Sequence, residues 1–156
     1  MTRWNEAVKQ AGELPDFLYI DGHRVRDAAL DAIETRDPAS GLLLSSVPAG
    51  SRQSIDDAVG AAKRALHGPW ADINPRERGR LMWRAGEAIR AQIDCLALVE
   101  TLDSGKPLRD ARAGVERTAD YFCYYAGIVD KLEGTTVPLG RDKISYTEKV
   151  PIGVTG

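Results

Sequence analysis

Val150-Pro151-Ile152-Gly153-Val154-Thr155-Gly156 places a β-branched residue at every second position at the end of a 156-residue chain. The apolar alternation of Val150, Ile152 and Val154 predicts the opening of a buried strand. Just upstream, Ile144-Ser145-Tyr146-Thr147 alternates like a half-exposed strand. A buried parallel strand needs neighbours on both sides, yet the preceding residues read mostly as helix. The final stretch is therefore expected to open a main sheet lying further along, with the helices as the outer layer of an α/β fold. The same pattern allows a self-contained α+β domain whose last strand sits at an edge.

Four helices are predicted between Ser51 and Leu132. Ile55, Ala58, Val59, Ala62 and Leu66 fall on one face behind a Ser51 or Ser54 cap, and His67-Gly68-Pro69 ends that helix. Asn74 caps the second, Pro75 suits its first position, and Glu77 is placed to reach back as capping-box partner. It runs to about Ala91, with Leu81, Ala85, Ala88 and Ile89 expected inside and Arg76, Arg80, Arg84 and Arg90 outside. The third spans about Ile93 to Ser104, burying Leu96, Val99 and Leu102, and stops at Gly105, a natural left-handed residue. Pro107 starts a long fourth helix to about Leu132, with Val115, Ala119, Phe122, Ala126 and Val129 on one side and Gly134 closing it.

The N-terminal third reads differently. Residues 1–16 form a polar helical lead-in. Phe17-Leu18-Tyr19-Ile20 is β-favouring, and Asp21-Gly22 before His23-Arg24-Val25 marks a tight hairpin. His23 is expected as an exposed strand or turn residue. Ile33 to Arg36 is extended, Pro38 and Ser40-Gly41 make a turn, and Leu42 to Pro48 is a strand. Together these predict a small antiparallel meander.

Composition narrows the function. Hydrophobic residues are 43% and charged residues 28%, an ordinary globular balance. Lys and Arg number 21 against 23 Asp and Glu, a formal charge of −2, which argues against a dedicated nucleic-acid binder. No apolar run reaches the roughly 20 residues that cross a bilayer, and Met1 to Glu6 carries no apolar signal core. Cys95 and Cys123 lie in helical stretches and are read as packing residues in a reducing cytoplasm. Two histidines and two separated cysteines do not suggest zinc.

Several segments together resemble the N-terminal region of the aldehyde dehydrogenase superfamily. They are Tyr19-Ile20-Asp21-Gly22, Asp37-Pro38-Ala39-Ser40-Gly41, Glu100-Thr101-Leu102-Asp103-Ser104-Gly105-Lys106-Pro107, Tyr124-Tyr125-Ala126-Gly127, and Tyr146 to Val154 with its Pro151-Ile152-Gly153-Val154 run. Their order and spacing hold across roughly residues 17–156. The resemblance implies an α/β fold made of small antiparallel strands, four outer helices, the start of an oligomerisation arm and the start of a Rossmann-like sheet. Residues 1–140 would be the N-terminal part of the NAD(P)-binding domain, and 141–156 the arm with the start of the next strand. Homo-oligomers would form through the 144–150 strand.

The implied chemistry is NAD- or NADP-dependent oxidation of an aldehyde to a carboxylic acid through a cysteine thiolate. The resemblance puts the oxyanion-holding Asn, the general-base Glu, the nucleophilic Cys and the cofactor-binding residues outside this chain. No catalytic or cofactor-binding residue is therefore assigned, and the chain alone is expected to be inactive. One site is carried over: a monovalent cation, Na⁺ or K⁺, at main-chain oxygens of Thr35 and Arg36 and the carboxylate of Asp103. The family also draws a ligand from beyond Gly156. Asp103 has independent interest, because a carboxylate in the last turn of a helix faces the negative end of its dipole. A cation would compensate it, as would Lys106, and pairing with Lys106 or solvent is the alternative reading.

Two other roles compete. One is a non-catalytic folded subunit or protein-binding module derived from the family. The other, nucleic-acid binding through the arginines of residues 75–91, is disfavoured because Glu77 and Glu87 interleave them. The aromatic run Tyr121, Phe122, Tyr124 and Tyr125 is expected mainly to pack against helix or sheet, with a lesser role in a substrate tunnel.

Overall fold

Local capping residues set the helix boundaries. In the computed structural model, which describes residues 8–9, 14–26 and 31–156, α1 spans Arg52–His67. The Ser51 hydroxyl accepts from the Ser54 amide at its start. A single helical turn, α2 at Pro69–Asp72, follows; the sequence reading passed over it, and a run this short carries no periodicity to detect. Arg78 holds it by donating to the Trp70 and Ile73 carbonyls while lying over the Trp70 ring.

Helix α3 is Pro75–Ala91, with Asn74 Oδ1 accepting from the Glu77 amide at 2.9 Å. The other half of the capping box is not made: the Glu77 carboxylate takes Arg80 at 3.0 Å instead. Helix α4 is Ile93–Ser104 and stops at Gly105 with φ +73°. Helix α5 is Leu108–Ala126, shorter than expected, and Val129–Lys131 is a separate 3-10 turn. The Gly127 amide donates to the Cys123 and Tyr124 carbonyls and closes the helix there.

Among the described residues the strands make three separate two-stranded ribbons rather than one meander. β1 (Leu18–Ile20) pairs antiparallel with β2 (His23–Val25) across Asp21 and Gly22, both at positive φ as the tight turn requires. β3 (Ala32–Arg36) pairs with β4 (Leu43–Pro48), with a register shift between Thr35 and Arg36. β5 (Thr136–Pro138), which the sequence reading missed, pairs with β6 (Ile144–Tyr146). Thr147 donates its amide to the Thr135 carbonyl and extends that ribbon. The lead-in over residues 1–16 lies largely outside the described residues. Val150–Gly156 forms no strand, and Ile152 is 96% exposed. A strand exists only as a member of a ladder, and no described segment pairs with it.

Helices α3, α4 and α5 pack together. Ala97, Ala111 and Val115 form the core, with Ile89 and Ile93 against it. The contact of α3 with α5 differs from the predicted apolar face. Gly79 and Gly86 are the buried residues of α3, while Ala88 is exposed. Leu96 is also exposed, whereas Leu81, Ala85 and Ile89 are half-buried. Arg90 is half-buried, donating to Asp120 of α5 at 2.9 Å. That bond and a second to Cys123 raise its pKa above the ordinary value. Both cysteines are half-buried.

A candidate cation site between a hairpin and a helix end

The turn from β3 to β4 is built around Asp37, which is 5% exposed. Its carboxylate accepts from the Ala39 amide at 3.0 Å and the Ser40 hydroxyl at 2.5 Å, and its carbonyl accepts from the Gly41 amide at 2.7 Å. Gly41, at φ +71°, lets the chain reverse. This turn carries Pro38 onto the C-terminus of α4. A methyl on Gly105 would stand 2.9 Å from the Pro38 ring.

The junction leaves a cavity of about 240 Å³. Thr35, Ser45 and Asp103 supply its polar groups; Leu44, Val47, Val99 and Leu102 are among its apolar walls. Two of the three carried-over residues thus meet around one space. The third, Arg36, does not line it: its guanidinium takes Glu34 at 2.6 Å and the Gly41 carbonyl at 3.1 Å. Only its main chain remains relevant, and the ladder slips between Thr35 and Arg36, interrupting regular strand pairing there. Ser45 was not foreseen, and nothing in its sequence context marks it.

Asp103 lies in the last turn of α4, which carries no basic residue. Lys106 is not its partner, because the ammonium binds Glu100 at 2.5 Å. Among the described residues no ion pair reaches Asp103. Its carboxylate therefore meets the helix dipole without a protein cation, a situation a bound cation relieves.

A second cavity, of about 320 Å³, opens where α3 meets the end of α5, lined by Trp83, Arg76, Arg80, Asp130 and Lys131 among others. The hydrogen bond from Lys131 holds the Asp130 carboxyl below the usual range. The arginines expected on the solvated face are mostly engaged: Arg76 approaches Asp130 at 4.0 Å and Arg80 binds Glu77. The aromatic run does not pack as expected. Tyr121, Phe122, Tyr124 and Tyr125 are exposed, and Tyr124 and Tyr125 meet edge to face at 5.3 Å. No helix among the described residues is long and apolar enough to cross a membrane.

The profile described as Aldehyde dehydrogenase family matches residues 25–156. An aldehyde dehydrogenase of Aspergillus niger is 33% identical over 144 residues, covering 92% of this chain and 29% of that protein. The NAD-dependent aldehyde dehydrogenase of Sinorhizobium meliloti superposes with a TM-score of 0.79 at 32% identity, covering 87% of this chain and 28% of that one. The NAD⁺ complex of the Bacillus cereus aldehyde dehydrogenase gives 0.80 at 30% identity, covering 94% and 29%. The chain thus spans about 29% of the length of the curated relatives it matches. Its mixed α/β architecture and its sequence agree: the chain belongs to the aldehyde dehydrogenase family.

Proposed function

We propose that this chain supplies scaffold to an NAD(P)-dependent oxidation of an aldehyde to a carboxylic acid, with the reacting groups provided from outside residues 1–156. Residues 1–140 act as the N-terminal part of the NAD(P)-binding domain and 141–156 as an oligomerisation arm. The observation that carries this reading is the superposition on an NAD-dependent relative over 87% of the chain. The β5–β6 ribbon supports the arm: Ile144 and Tyr146 are exposed on a free-edged pair, a template for pairing with a neighbouring subunit. The reaction takes place in the cytoplasm.

The experiment replaces the corresponding segment of the Sinorhizobium meliloti enzyme with residues 1–156. The chimera is expected to oxidise an aldehyde with NAD⁺, while the isolated chain does not. An inactive but folded chimera, or turnover by the chain alone, overturns the reading.

Within that scaffold the cavity holds Na⁺ or K⁺ through main-chain oxygens at Thr35 and Arg36 and the Asp103 carboxylate, hard ligands for a hard ion. Melting the isolated chain in NaCl and KCl against an organic-cation chloride at equal ionic strength tests this. A rise specific to Na⁺ or K⁺ is expected, and Asp103→Asn is expected to abolish it. A rise that survives the substitution removes Asp103 from the site.

A further inference from the structure

We propose that the cavity where α3 meets the end of α5 binds a small aromatic carboxylate, stacked on Trp83 and held by Arg76 and Arg80. The site is independent of the scaffold reading and shares no lining residue with the cation cavity.

The shape begins with a side chain that α3 lacks. At Gly79 the Ala126 carbonyl oxygen and Val129 come in close: an added methyl would meet them at 2.7 and 3.1 Å. Beside that contact the longer side chains stand clear and leave a space of about 320 Å³, at the small end of ligand pockets. Trp83 forms one wall and is 52% exposed. The other described tryptophan, Trp70, has its ring covered by the Arg78 guanidinium at 5.1 Å. Among the described residues neither a cation nor another ring lies over Trp83. An open ring face beside a cavity suits a flat apolar partner.

Charge decides the polar end of the ligand. Arg76, Arg80 and Trp83 stand at i, i+4 and i+7 of α3 and form one ridge. Like charges four residues apart repel, and an anion between them relieves the repulsion. Arg76 reaches Asp130 only at 4.0 Å, longer than a hydrogen bond, and its side chain is 84% exposed. Arg80 donates from Nη1 to Glu77 at 3.0 Å, which leaves most of its five donors for a ligand. Asp130 is already taken by Lys131 at 2.5 Å. Three cations, Arg76, Arg80 and Lys131, thus meet two carboxylates, Asp130 and Glu77, and the surplus is one positive charge. A monoanion balances that surplus, and the planar guanidinium fork matches a carboxylate.

NMR titration of the 156-residue chain with benzoate tests the proposal. Benzoate is expected to shift the Trp83 indole N–H signal saturably and leave that of Trp70 in place. Cyclohexanecarboxylate keeps the charge without the ring, and benzyl alcohol keeps the ring without the charge. Each is expected to bind about tenfold more weakly than benzoate. Arg76→Gln and Arg80→Gln are each expected to weaken benzoate about tenfold, the scale of one lost charged hydrogen bond. Trp83→Leu, followed through saturation transfer to the benzoate ring protons, is expected to do the same, with Trp83→Phe in between. Arg64→Gln, on α1, is expected to change nothing. All these positions are exposed, and unchanged circular dichroism checks that each variant folds. No saturable shift at Trp83 overturns the proposal, as does equal binding of either comparator. Benzoate binding that survives the paired Arg76→Gln and Arg80→Gln substitutions overturns it too. Phenyl phosphate binding more tightly than benzoate would overturn the assignment to a carboxylate.

Discussion

Gly79→Ala combined with Gly86→Ala is expected to lower the melting temperature by about 6 °C, a net cost of about 2 kcal/mol at roughly 2–4 °C per kcal/mol. A methyl at Gly79 would stand 2.7 Å from the Ala126 carbonyl oxygen. One at Gly86 would stand 2.8 Å from Cys123 Sγ and 3.0 Å from the Ala119 carbonyl oxygen. Overpacking of this kind costs about 1–3 kcal/mol per site. The gain in helix propensity from Gly to Ala, about 1 kcal/mol each, opposes it. Overpacking wins because two of the blocking atoms are main chain and yield only if α3 and α5 separate. The Gly79 substitution is expected to be the worse of the two, since the thiol at Gly86 can rotate aside.

Gly114→Ala is the control. It sits on α5, and the nearest atom to its added methyl is Lys106 Nζ at 3.7 Å. It is expected to stabilise by about 0.4–1 kcal/mol. A double variant as stable as this control would mean the two helices do not approach through their glycines.

Asp37→Ala is expected to cost about 1–3 kcal/mol, because its buried carboxylate satisfies the Ala39 amide and the Ser40 hydroxyl. Its second effect is at a distance. The turn sets Pro38 against Gly105 and thereby fixes the hairpin on the C-terminus of α4. Loosening it is expected to blunt the melting response to Na⁺ or K⁺ even though Asp103 is intact. Asp37→Asn, keeping one acceptor, is expected to fall between. Thermal melts of both variants with and without the cation check this, and an undiminished response in Asp37→Ala would show that another contact positions the site.

Features with local causes were readable in the amino acids. Asn74 before Pro75 and Gly105 after Ser104 gave the bounds of α3 and α4, because caps act within one turn. Asp21-Gly22 gave the first hairpin for the same reason. What eluded the reading depended on distant partners. Apolar periodicity on α3 nominated Leu81 and Ala88 for burial, yet the helix-facing side holds Gly79 and Gly86, whose role lies in what they permit rather than what they bury. β5 was missed because three residues around Val137 become a strand only by meeting β6. Asp103 drew attention through its place at a helix end. Its meeting with Thr35 came from resemblance, and the Glu100 pairing that diverts Lys106 was visible in neither.

Helices α3, α4 and α5 occupy one unbroken stretch, Pro75 to Ala126, and each finds its main packing partner within it. Such short-range connectivity folds fast, because little chain entropy is lost in closing it. A growing polypeptide would therefore set its helical layer while synthesis continues, presenting later residues with a ready template rather than a coil.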